Sequence, residues 1–108
     1  MKGRAVRRDE IALNRTEWGG LRNLFAGAQL DAASAFSFGL ISYRKPHHSG
    51  RHADHEVIYV LRGEGTARIG NDRVPFTPGT LLVIPKNTEH GIEKVHSSSV
   101  SAVIAHFL

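Results

Sequence analysis

The chain has 108 residues, 41% of them hydrophobic and 22% charged, with no cysteine and a formal net charge of +4. That length suits one domain around one core, and the lack of cysteine excludes disulfides and thiolate metal sites. No apolar run approaches the roughly 20 residues that cross a bilayer and no apolar stretch follows the basic start, so a cytoplasmic protein without a membrane partner is expected.

The start, MKGRAVRRDE, carries Lys2, Arg4, Arg7 and Arg8, followed at once by Asp9 and Glu10. It reads as a solvated tail. The remaining basic residues are scattered and no zinc-finger or aromatic RNA-binding pattern accompanies them, so no nucleic-acid partner is expected. Next, EWGGLRNLFA (17–26) sets Trp18, Leu21, Leu24 and Phe25 at partly helical spacing. Gly19 and Gly20 weaken a helix there, and an irregular strand or turn fits equally. Trp18 is read as a packing anchor.

From Phe36 the punctuation becomes that of short strands: FSFGLISY (36–43), EVIYVL (56–61), TARIG (66–70), RVPF (73–76), TLLVIP (80–85), HGIEKV (90–95) and VSAVIAHFL (100–108). Turn residues separate them, and Gly70-Asn71-Asp72 is expected to close a hairpin, because such residues tolerate positive φ. Many short strands with frequent turns predict an all-β sandwich or barrel.

Side chains alternate along a strand. In EVIYVL, Glu56 therefore shares a face with Ile58 and Val60, the face that should be interior. A carboxylate buried there needs a cation, a proton or several hydrogen-bond donors. His52 keeps the same parity, but i and i+4 on a straight strand are ~13 Å apart, so the chain must bend if the two are to share a metal. His90 opens a later strand after a turn. Together His52, Glu56 and His90 make a facial set of two imidazoles and a carboxylate, suited to Fe(II), Mn(II), Ni(II) or Zn(II). His55 falls on the opposite face.

The spacing H-x3-E-x6-G at His52, Glu56 and Gly63, then G-x5-P-x-N-x2-H at Gly79, Pro85, Asn87 and His90, resembles the two motifs of the cupin superfamily. The stretch 57–92 is also similar to the sugar-sensing N-terminal domains of AraC-type regulators. The resemblance covers residues 36–108 and implies a six-stranded double-stranded β-helix, a jelly-roll barrel, with residues 1–35 packing on it. It implies a divalent metal at His52, Glu56 and His90. The family usually has a histidine where this chain has Gly50; either His48 or His47, just upstream, supplies the missing ligand from a reshaped loop, or the site has three protein ligands. The second motif's glycine is Asn87, which can adopt positive φ. Tyr43, Ile58 and His106 are expected to line the pocket, and the last shares a face with Val100, Ala102 and Ile104. The resemblance further implies a homodimer and a small polar ligand. Two functions follow: a metal-dependent enzyme of open reaction, or a non-catalytic sugar-like sensor lacking its own DNA-binding module.

Overall fold

A computed structural model describes residues 4–26 and 36–108. One turn of 3-10 helix at Arg8–Glu10 precedes ten strands: β1 (Asn14–Arg15), β2 (Gly19–Ala26), β3 (Phe36–Tyr43), β4 (His47–Gly50), β5 (His55–Arg62), β6 (Gly65–Ile69), β7 (Asp72–Phe76), β8 (Leu81–Ile84), β9 (His90–Val95) and β10 (Val100–Phe107). They form two antiparallel sheets, one of six strands in the order β1-β2-β3-β10-β5-β8 and one of four in the order β4-β9-β6-β7. The chain is all-β, a jelly-roll barrel. Among the described residues no helix is long and apolar enough to cross a membrane.

Alternation drives the packing. In β5, Glu56, Ile58 and Val60 are buried while Tyr59 and Leu61 are exposed. Opposed inward faces of both sheets enclose one core that includes Tyr43, Ile58, Val60, Phe76, Ile84, Val100 and Ile104. Phe76, Ile58, Ile84, Val60 and Val100 are the largest fully buried side chains, each stabilising the fold by about 1.5–3 kcal/mol. Gly63 ends β5 at φ 91°. A Cβ there would lie 2.1 Å from the Ser99 carbonyl oxygen, so the loop closes only over glycine.

The structure resolves one open alternative and departs from the sequence expectation at two points. Residues 19–26 form a strand, because pairing with β3 satisfies their backbone and Gly19 and Gly20 lie buried against it. The segment expected to pack on the barrel thus extends its larger sheet over 14–26; residues 1–3 and 27–35 of it lie outside the described residues. The run PHHSG carries no strand expectation, yet His47–Gly50 pairs with β9 as an edge strand. The barrel accordingly has six- and four-stranded sheets rather than six strands in all. The hairpin at Gly70 forms, joining β6 to β7 with Gly70 at φ 59°.

Candidate metal centre

Residues 51–54 bend out of strand geometry between β4 and β5. The bend folds His52 back over Glu56, so that its Nε2 lies 3.3 Å from Glu56 Oε1 instead of a strand's length away. A backbone bond fixes the bend to the turn before β9: the Asn87 N–H donates to the His52 carbonyl at 2.7 Å. Asn87 stands at φ 61°, the conformation expected of it in the glycine position. The same turn delivers His90 at the start of β9, with its Nε2 3.4 Å from Glu56 Oε2 and 3.2 Å from His52 Nε2. His52 and His90 therefore both approach the Glu56 carboxylate, at different oxygens.

His106 joins them from β10. Register sets it beside Glu56 on β5 and beside Ser37 on β3. Its Nε2 is 2.6 Å from Glu56 Oε1. Ligand atoms of His52, Glu56 and His106 all lie within 4.8 Å of one another.

Each of the three imidazoles turns its Nδ1 outward to an oxygen. His52 Nδ1 is 2.6 Å from Asp54 Oδ1, His90 Nδ1 is 2.8 Å from the Thr88 carbonyl, and His106 Nδ1 is 3.4 Å from Ser37 Oγ. An Nδ1–H donated to such acceptors leaves the lone pair on Nε2, pointing inward. Outer acceptors of this kind orient metal-binding histidines. Facing lone pairs on the Nε2 atoms of His52 and His90 repel at 3.2 Å unless a proton or cation stands between them. A set of imidazole nitrogens around a carboxylate fits a divalent first-row metal.

The electrostatics of the metal-free protein agree. Burial pushes the Glu56 carboxyl up, but hydrogen bonds from His106 and His90 outweigh it and bring it down to about 2. Burial disfavours the charged form of His90, and its bonds to Glu56 and the Thr88 carbonyl reverse that, raising its pKa. His106 is raised chiefly by its hydrogen bond to Glu56. Glu56 and His90 are the buried polar side chains of the described core.

The other expected residues are placed as follows. His48 is not brought to the centre: alternation along β4 turns it outward, and its Nε2 pairs with Glu89 Oε1 at 2.7 Å. His47 faces the other way and stacks on Trp18 at 4.5 Å. Burial, followed by His48 and His90, lowers its pKa. Tyr43 is buried between Trp18 and Phe76, with ring centroids 5.0 and 5.7 Å away, and burial raises its pKa. Ile58 is a fully buried core residue. His55 faces away, with Phe107 5.4 Å off and the Lys86 N–H donating to its Nδ1. The link from His106 to Glu56 escaped the sequence reading. The inward parity of His106 was visible, but the β5–β10 pairing that sets the two side by side comes only from topology.

The family model described as Cupin domain matches residues 43–106. An acireductone dioxygenase from Exiguobacterium sibiricum is 33% identical over 69 residues, which span 59% of this chain and 37% of that protein. The match thus covers well under half of that relative's length. A predicted oxalate decarboxylase from Thermotoga maritima superposes with a TM-score of 0.75 at 19% identity, covering 97% of this chain and 99% of that one. A cupin-2 domain protein from Rhodospirillum rubrum gives 0.76 at 18% identity, covering 96% and 74%. At these identities the structural likenesses establish the fold.

Proposed function

The chain belongs to the cupin family, and from that premise we propose that it binds one divalent metal at His52, Glu56 and His90 and acts on a small polar metabolite in the cytoplasm. The observation that carries this reading is the convergence of the Nε2 atoms of His52 and His90, 3.2 Å apart, on a buried carboxylate. A bound metal supplies Lewis acidity or a site for dioxygen. The protein's part is to hold the donors: Asp54 and Thr88 fix the imidazole orientations, and the Asn87 bond to the His52 carbonyl keeps the two motif turns together. The relatives' names differ in reaction, a dioxygenase and a predicted decarboxylase, so the reaction stays open. Elemental analysis of purified protein should find about one divalent metal per chain, and His90→Ala should lose it. Metal-free wild type that takes up none on reconstitution would sink the reading.

A second reading is a sensor that binds a sugar-like molecule without turnover. It is supported by the resemblance of residues 57–92 to the sugar-sensing domains of AraC-type regulators. Thermal-shift screening with small polyols and sugars separates the two, since a binder raises the melting temperature by mass action.

The proposal includes a homodimer. Tyr59, Leu61, Leu81 and Val83 stand exposed on the outer face of β5 and β8. Pairing of this face with a second copy covers them in an isologous contact. A monomeric mass by light scattering contradicts it.

A further inference from the structure

We infer that His106, near the end of β10, is a further protein ligand of this centre and replaces the donor missing at Gly50. The inference rests on the reading that His52, Glu56 and His90 hold a metal.

Gly50 lies in register with His90 across β4 and β9. It offers no side chain, its φ is 74°, and no atom stands within 4 Å of where its Cβ would be. Neither histidine of β4 makes up the loss. His48 is outside with Glu89, and His47 is stacked on Trp18. The other sheet supplies an imidazole instead. Ala102, Ile104 and His106 share the inward face of β10, and cross-strand register sets His106 beside Glu56. His106 Nε2 reaches Glu56 Oε1, whereas His90 Nε2 approaches Oε2, so the two histidines flank the carboxylate through different oxygens. His52 Nε2 lies 3.3 Å from the oxygen that His106 approaches. Ser37 stands behind Nδ1 of His106 as Asp54 and Thr88 stand behind the other two. All three imidazoles thus share one arrangement: Nδ1 outward on an oxygen, Nε2 inward on Glu56. A histidine that merely oriented Glu56 would leave the metal with two imidazoles; a ligand gives it three.

That count is the test. The full chain is stripped of metal, loaded with Cu(II), and examined by pulsed EPR, which counts coordinated imidazoles; Co(II) affinity is measured by calorimetry. Wild type should show three imidazoles and His106→Asn two, with Co(II) affinity reduced at least about tenfold. Wild type that takes up metal with two imidazoles overturns this inference alone. So does His106→Asn with an unchanged count and affinity. Wild type that takes up neither metal overturns it together with the reading beneath it. Should His106→Asn fail to fold, the wild-type count still decides.

Discussion

Replacing Glu56 with glutamine keeps the shape of the side chain and removes the charge that holds the histidine cluster together. The Glu56 carboxyl sits at about 2 against an ordinary 4.5. At roughly 1.4 kcal/mol per pH unit this is about 3 kcal/mol of stability, shared by Glu56 with the histidines that bond it and counted once. Glu56 contributes fully above its ordinary 4.5, and that contribution is lost as the pH falls toward 2. His90 and His106 are raised from 6.5, so theirs is complete below 6.5 and lost as the pH rises through the raised values. The benefit is therefore greatest between 4.5 and 6.5 and shrinks on the alkaline side. His47 is lowered, mainly by burial, and acts in the opposite sense. It is present in both proteins and largely cancels in the difference. Urea unfolding of metal-free wild type and Glu56→Gln across this range measures the gap. Near pH ~5.5 the variant should be less stable by about 3 kcal/mol, a fall in melting temperature of roughly 12 °C. The gap should narrow toward pH ~8.5. A gap that stays constant or widens as the pH rises refutes the reasoning.

Asp54→Ala removes the carboxylate behind His52 Nδ1 and should weaken Co(II) binding about 10–100-fold, measured by titration against a chelator, with little change in metal-free melting because Asp54 lies in a partly exposed turn. Gly63→Ala forces a Cβ to within 2.1 Å of the Ser99 carbonyl oxygen at φ 91°, and should cost upwards of about 1–3 kcal/mol in urea unfolding.

The sequence carried the fold wherever local chemistry sufficed. Alternation in EVIYVL put Glu56 inward with Ile58 and Val60, and the described burial follows that parity. The turn signals at Gly63, Gly70 and Gly79 all mark positive φ. Two glycines made 17–26 ambiguous, because the partner that turns it into β2 is β3, a contact no local pattern encodes. His47 and His48 looked equivalent as substitutes for a histidine at position 50. An edge strand makes adjacent residues face opposite ways, and neither then reaches the cluster in the way His106 does.

The position of that substitute follows from how the two sheets meet at the centre. Glu56 belongs to β5 in the larger sheet and His90 to β9 in the smaller one, while His52 spans the gap on a bend tied to Asn87. A residue at position 50 would approach from beside His90, on β4; His106 approaches from beside Glu56, on β10. Moving a donor between these places leaves the strand order and both motif turns untouched, since each is only one strand away from a fixed ligand. What it changes is the environment of the carboxylate. In the metal-free geometry Glu56 is engaged through both oxygens, Oε1 by His106 and Oε2 by His90. Position 50 presents no side-chain donor beside His90, while His106 presents an imidazole beside Glu56.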